Sequence, residues 1–277
     1  MKVDRLITCL NNNPTYVGFW NTFSPVWAKK FNLKPTLAFV GTQAELDSLK
    51  LSTEHGDIIR LDPISEVRVD TNLDWSVTWA LFWTAAQFSE EVCMLQGIDQ
   101  MPLSNLFFES IKDIDSEKYV IGFSDAYENG HPQQFGYHPL RCEMFPSSHH
   151  VAKGKTFSNI YYINDDWEKE IKKVFQYRGE YYLPKNLWGL DECYSSQLID
   201  DYKKKYGDSI FFNLKIFKSH WANNRVDRVL HTKGKELQWD SEKLKKGQYS
   251  ELHAPRPYTE YTETISKFIK EFMKVEL

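Results

Sequence analysis

The first third of the chain alternates short apolar runs with amphipathic ones. RLITCL (5–10) reads as a strand, followed by a polar turn, NNNPTY, and by SPVWAKKFN (24–32), which is apolar along one side only. TLAFVG (36–41) and DIIRL (57–61) again read as strands, with QAELDSLKL (43–51) between them as a helix. Alternation of this kind predicts parallel strands joined by crossover helices. A longer amphipathic stretch runs from Leu73 to Phe88, with Trp75, Trp79, Phe82, Trp83 and Ala86 at helical spacing, and the apolar strand VCMLQGI (92–98) follows it.

From Tyr119 the pattern changes. YVIGFSDAY (119–127) reads as a strand, a His-, Pro- and Gly-rich loop runs to about Lys155, and NIYYI (159–163) reads as another strand. DDWEKEIKKVFQY (165–177) has its acids early and its lysines later, as a helix dipole prefers. WGLDECYSSQLIDDYKKKYG (188–207) reads as a turn opening a second helix that stops at Gly207. The strand FFNLKIF (211–217), a polar loop and an amphipathic helix from about Thr259 to Val275 complete the pattern. No repeat or low-complexity tract interrupts it. One α/β domain is expected over 1–277, a Rossmann-like mixed sheet flanked by helices, with a nucleotide-binding half to about residue 110 and an acceptor-binding half over 111–277.

Composition narrows the function classes. With 42% hydrophobic and 26% charged residues, 277 residues can bury a core unaided. The 15% aromatic share, with nine Trp and fifteen Tyr, supplies core and also flat rings suited to stacking on sugar faces. A formal charge of −4 and a pI near 6.1 argue against nucleic acid or an anionic membrane as the main partner. Cys9, Cys93, Cys142 and Cys193 show no C-x-x-C spacing, so reduced thiols in a reducing compartment are expected rather than a zinc site or disulfide framework. The opening VDRLITCL is too short and wrongly flanked for a signal peptide, and no run of about 18 apolar residues occurs. A cytoplasmic protein without a membrane anchor is the expectation.

Candidate chemistry concentrates at three places. At Gln96–Leu103 (QGIDQMPL) an apolar strand runs into Asp99 and then Pro102. Ligands of α/β sheets bind at such strand ends, and a carboxylate there can hold a hard divalent cation that bridges two phosphates. As an alternative, Asp99 caps the following turn. The segment resembles the metal-binding strand end of GT-A glycosyltransferases, whose D-x-D motif is written D-I-D-M-x-P-L in several viral and bacterial members. Asp99 matches its second Asp. Gly97 stands where the first would be, which leaves that residue's ribose or water-mediated metal contacts to another group. Gly97 and Ile98 would then lie beside the nucleotide-sugar.

Trp188-Gly189-Leu190-Asp191-Glu192 is similar to the W-G-G-E-D segment of inverting galactosyltransferases in the same superfamily. The resemblance implies that Glu192 takes the proton of the acceptor hydroxyl, a task that suits a positioned carboxylate. Asp191 would hydrogen-bond a sugar, with Trp188 and Gly189 beside the acceptor. An acidic first turn of a helix is the simpler explanation of the two acids. The third place is Lys218-Ser219-His220-Trp221, where His220 matches the late His that GT-A enzymes supply as a metal ligand. Imidazole with carboxylate and phosphate oxygens favours Mn²⁺ over Mg²⁺.

Weaker candidates come from position. Thr8, Cys9, Leu10 and Asn11 end the first strand, where backbone groups and an Asn amide could read a uracil. Asp74 and Trp75 open the long helix, and Asp125, His149, His150 and Lys153 could line the acceptor or donor pocket. In order and length the whole chain resembles small virus-encoded GT-A enzymes, the chlorella-virus group that decorates a capsid N-glycan. That resemblance implies a UDP-sugar donor such as UDP-xylose, a glycan acceptor such as fucose, and inversion in a single displacement. A glycoside hydrolase, which also needs two carboxylates, and a non-catalytic carbohydrate-binding protein using its aromatic surfaces are the rival readings.

Overall fold

The computed structural model describes residues 1–64, 76–127, 143–181, 190–215, 224–228, 232–233 and 236–273. Its centre is a seven-stranded mixed sheet in the order β3-β2-β1-β4-β7-β6-β8. The strands are β1 (Arg5–Leu10), β2 (Lys34–Val40), β3 (Asp57–Leu61), β4 (Val92–Leu95), β6 (Tyr119–Gly122), β7 (His150–Lys153) and β8 (Phe211–Leu214). Strands β3, β2, β1 and β4 are mutually parallel. Strand β7 runs antiparallel to both β4 and β6, and β8 is parallel to β6. The expected parallel first half is present, and strands from both sides of residue 110 share one sheet.

Side chains alternate across the sheet, as strand geometry requires, and feed two cores. Leu6 and Leu10 of β1 and Val92 and Met94 of β4 face one, with α1 (Phe19–Phe31) and α9 (Tyr258–Met273). Ile7 of β1 and Cys93 and Leu95 of β4 face the other, with α3 (Ser76–Ala86), α5 (Gly154–Tyr161), α6 (Trp167–Tyr181) and α7 (Leu190–Tyr206). Two smaller elements flank this body. A three-stranded sheet, β5-β12-β9, joins Gln100–Pro102, Glu251–His253 and Arg225–Asp227, and β10 (Thr232–Lys233) pairs with β11 (Glu236–Leu237) in a hairpin. Helix α4 (Leu106–Ile111) and α8 (Ser241–Lys245) are single short turns.

Local chemistry explains several boundaries. Helix α2 (Gln43–Ser48) opens on a capping box, in which Thr42 Oγ1 accepts from the Glu45 N–H at 3.2 Å and the Thr42 N–H donates to Glu45 Oε2 at 2.8 Å. Helix α7 carries Asp191 and Glu192 in its first turn and Lys203, Lys204 and Lys205 in its last, and stops at Gly207 with φ +82°. Gly18, at φ +109°, opens α1 where any Cβ would strike the Tyr258 ring.

Four expectations are corrected. NIYYI is not a strand: residues 154–161 form α5, because Phe157, Ile160 and Tyr161 stand at helical spacing and pack into the core beside α3. YVIGFSDAY is a strand only to Gly122, and the chain turns at Phe123, whose φ is +54°. Inside the presumed loop, His150–Lys153 form β7. Helix α3 is not amphipathic but buried round most of its circumference, since it lies between the sheet and helices α5 to α7.

Candidate functional site

The direction of the strands decides where polar groups collect. Since β7 alone runs backwards, the C-terminal ends of β1, β4 and β6 and the N-terminal end of β7 meet at one end of the sheet. Order also reverses there: β2 and β3 lie on one side of β1, and β4 on the other. A crevice at such a switch point is where open α/β sheets bind ligands. Cys9–Asn11, Gln96–Asp99, Phe123–Asp125 and Ser147–His149 all fall at this end.

One polar cluster is built around the first turn of α7. Tyr127 Oη donates to Glu192 Oε2 at 2.7 Å, the Ser147 N–H donates to Glu192 Oε1 at 3.2 Å, and Ser147 Oγ donates to Asp191 Oδ2. Asp191 is buried and Glu192 half-buried. Burial raises the proton affinity of both carboxyls, and the neighbouring Asp191 charge raises Glu192 further. The hydrogen bonds from Ser147 and Tyr127 pull the other way and lose. An acid held this way can exchange a proton near neutral pH, as a general base must.

A second cluster surrounds Asp99, between β4 and β5. Its Oδ2 receives a hydrogen bond from Arg228 Nη1, lies 3.6 Å from His253 Nε2 and lies 3.9 Å from Arg256 Nε. The opposite nitrogen of His253 meets Asp227 Oδ2 at 3.0 Å. Behind these, Arg225 Nε approaches Glu251 Oε1 at 2.7 Å, and Glu251 Oε2 meets His149 Nε2 at 2.7 Å. Burial pushes the Asp99 carboxyl up, but His253 and Arg228 outweigh it and hold it below the usual carboxylate range. His253 is raised by Asp227 and Asp99 against its own desolvation. Asp99 is therefore a permanent anion in cationic surroundings.

Cys9, at the end of β1, ties the clusters together. Burial pushes its thiol up, and the negative charges of Asp191 and Asp99 push it further, so both carboxylates act on one point at the switch of strand order. Asn11 beside it accepts the Asn13 N–H at 3.0 Å in a turn. Leu10 and Ile98 point into the core, which leaves their backbone groups to offer a ligand. Thr8 is fully buried, and its Oγ1 has no hydrogen-bond partner among the described residues. Gly97 donates its N–H to Gln100 Oε1 at 3.0 Å.

No protein-family model matches this sequence, and no curated protein matches it. Among solved structures it is similar to the galactosyltransferase LgtC in complex with donor and acceptor sugar analogues, at TM-score 0.48 and 9% identity over 99% of this chain and 96% of that one. Mouse xyloside xylosyltransferase 1 in its apo form matches at TM-score 0.40 and 9% identity, over 92% of this chain and 98% of that one. The glucosyl-3-phosphoglycerate synthase of Mycobacterium tuberculosis, in complex with Mn²⁺, UDP and phosphoglyceric acid, matches at TM-score 0.37 and 12% identity, over 76% and 67% of the two chains.

The sequence-predicted residues divide three ways. Asp99, Asp191, Glu192 and Cys9 come together at one end of the sheet, and Asp125 lies buried in the same region. His150 is placed in the interior: burial lowers it to about 4, its Nδ1 accepts from Tyr119 Oη at 2.7 Å, and its Nε2 donates to the Pro146 carbonyl. Both nitrogens of this neutral ring are engaged, so it has nothing to offer a sugar. Lys153 reaches outward to pair with Glu117. Asp74, Trp75, Trp188, Gly189 and His220 lie outside the described residues.

A divalent cation would need several hard donors around Asp99. Among the described residues, no group of three or more His, Cys, Asp or Glu side chains is arranged to hold one. Asp99 Oδ2 instead faces two guanidiniums and an imidazole. This donor set does not fit a metal ion. Also among the described residues, no helix is long and apolar enough to cross a membrane. Sequence reasoning missed Tyr127, Ser147, Asp227, Arg228, His253 and Arg256. Only Tyr127 carried a signal, as a polar aromatic two residues after Asp125.

Proposed function

We propose that this chain is a GT-A-type glycosyltransferase that moves a sugar from a nucleotide-sugar to a hydroxyl of a glycan. What supports this reading is where the two clusters lie: Asp99 follows β4, and Ser147, which is hydrogen-bonded to Asp191 and Glu192, precedes β7, so an acid among cations and a proton-accepting acid pair share the switch end of the sheet. A glycosyl transfer needs both: a place for a charged leaving group and a base for the attacking hydroxyl.

Glu192 takes the proton of the acceptor hydroxyl as that oxygen attacks the anomeric carbon from the face opposite the leaving group. The bond to the nucleotide diphosphate breaks in the same step, so the configuration inverts. Tyr127 and Ser147 fix the two oxygens of Glu192, and Asp191, oriented by Ser147, hydrogen-bonds a sugar hydroxyl. The end of β1, with Asn11 and the backbone of Cys9 and Leu10, receives the nucleotide base. The half before about residue 110 receives the nucleoside of the donor, and the half after it receives the acceptor. UDP-xylose as donor and fucose as acceptor follow from the sequence resemblance. The same resemblance implies a divalent cation, Mn²⁺ before Mg²⁺, on Asp99 and His220, but the described donors around Asp99 do not fit it, so the cation is not carried into this reading and no step is assigned to it.

The test is a donor screen. Protein incubated with UDP-, GDP- and CMP-sugars and a fucosyl acceptor, with Mn²⁺ or with EDTA, should release the nucleotide only when donor and acceptor are both present. Anomeric configuration read by NMR should show inversion. Cleavage of an artificial glycoside with no nucleotide-sugar turnover would overturn the reading in favour of a hydrolase.

A further inference from the structure

The cluster around Asp99 is graded by depth. Its carboxylates lie deepest, with side-chain exposures of 10% for Asp99, 10% for Asp227 and 5% for Glu251, and Arg225 at 3% lies with them. Arg228 and Arg256 are the more open members, at 20% and 24%. Three arginines therefore balance three carboxylates in number while the anions are withdrawn behind the cations. The more open members of the cluster are therefore the cationic ones, with His253 at 15% between them and the carboxylates.

Arg256 sits at the right place for a ligand. Its guanidinium lies over the Tyr16 ring, 5.1 Å from the centroid, and its Nε is 3.9 Å from Asp99. Tyr16 belongs to the loop after β1, and Asp99 to the segment after β4. These segments follow the two strands that flank the switch point, so Arg256 lies against both. Burial alone bears on its proton affinity and lowers it, as expected of a guanidinium stripped of water without a full counter-charge.

We propose that Arg228 and Arg256, held on Asp99 beside His253, form a diphosphate-binding site that neutralises the leaving group directly, in the position where a divalent cation would otherwise stand. Guanidiniums match phosphate oxygens with paired, charge-assisted hydrogen bonds. Asp99 is then a positioning residue: it orients the two arginines and does not itself ligate a metal. The leaving-group role rests on the glycosyltransferase reading, whereas the anion site does not.

Calorimetric titration of the whole chain with inorganic pyrophosphate and with UDP, each in EDTA and in Mn²⁺, tests this. Wild type should bind pyrophosphate in EDTA, more weakly at higher salt. Arg256→Gln should weaken that binding at least about tenfold, or about 1.4 kcal/mol, while Arg256→Lys should recover part of it. An Arg256→Gln melting temperature close to wild type excludes a folding defect, and Arg228→Gln serves as the second variant if it does not. Pyrophosphate binding that depends on Arg256, with no turnover of any nucleotide-sugar in the donor screen, supports the anion site and removes the glycosyltransferase reading. Binding that appears only with Mn²⁺ and is equal in Arg256→Gln overturns the proposal and leaves that reading standing. Absence of pyrophosphate binding in every condition overturns the anion site, and the glycosyltransferase reading falls with it only if no nucleotide-sugar is turned over either.

Discussion

Asp99 and Glu192 are both carboxylates at the same end of one sheet, yet their surroundings drive them in opposite directions. Asp99 is held below the usual range because His253 and Arg228 outweigh its burial. Glu192 is pushed above it because burial and the neighbouring Asp191 outweigh hydrogen bonds from neutral donors. Neighbouring charge, rather than depth, separates them. A carboxylate ringed by cations organises other groups and keeps its charge, while one set beside a second acid accepts and releases a proton.

Removing each charge in turn sharpens this contrast most. Asp99→Asn strands Arg228, Arg256 and a charged His253 in a poorly solvated cluster. The expected loss of stability is about 3–5 kcal/mol, the range for breaking a buried ion pair, read by urea unfolding. Glu192→Gln removes a charge that its site disfavours, so the same unfolding curve should move little or toward greater stability. Its effect falls on activity instead: sugar transfer should drop about 10²- to 10⁴-fold, the share of a general base, with UDP binding retained. If both variants lost stability equally, the contrast between the two sites would be gone.

Acidity gives a smaller and more specific handle. Asp191 and Glu192 both gain proton affinity on folding. The stability they contribute is therefore complete below the ordinary carboxylate range near pH 4 and is lost as the pH climbs through their raised folded values. Asp191→Asn should flatten that decline in unfolding free energy between about pH 4 and 8. It also removes the like charge that raises Glu192. The acidic limb of the kcat/KM profile should then move to lower pH, since the base loses its proton earlier. A limb that stays in place would mean that another group titrates there.

The two clusters also differ in how far the sequence announced them. The acid pair is legible because it falls in the first turn of a helix marked by early acids and late lysines, and Asp99 is legible because it follows an apolar strand. Strands β1 and β3 coincide with the apolar runs RLITCL and DIIRL. Arg228, His253 and Arg256 carry no such signal. They lie in or beside β9 and β12, three-residue strands paired across long separations: Glu251 faces Arg225 on one side and Pro102 on the other. Three residues are too few to show a period. NIYYI misleads for a related reason, because its aromatic and β-branched residues favour a strand until contacts with α3 decide for a helix.

Gly97 marks the point where the Asp99 cluster departs from a D-x-D pattern, and it offers the smallest test. A Cβ there would stand 3.0 Å from Gln100 Oε1 and 3.2 Å from Asp99 Oδ1, both at the ends of side chains rather than on backbone. Such ends can give way by a few tenths of an ångström, and an alanine also restricts the unfolded chain, worth about 0.4–1 kcal/mol in the opposite sense. Gly97→Ala should therefore keep its stability within about 1 kcal/mol of wild type, measured by urea unfolding. Pyrophosphate affinity should change by less than about threefold, or about 0.7 kcal/mol, if Asp99 acts only by holding arginines that can follow a small shift. A tenfold loss from this one methyl would mean that the Asp99 oxygens themselves must be exactly placed on the ligand or its metal, and the carboxylate would then belong with Glu192 among groups that take part directly.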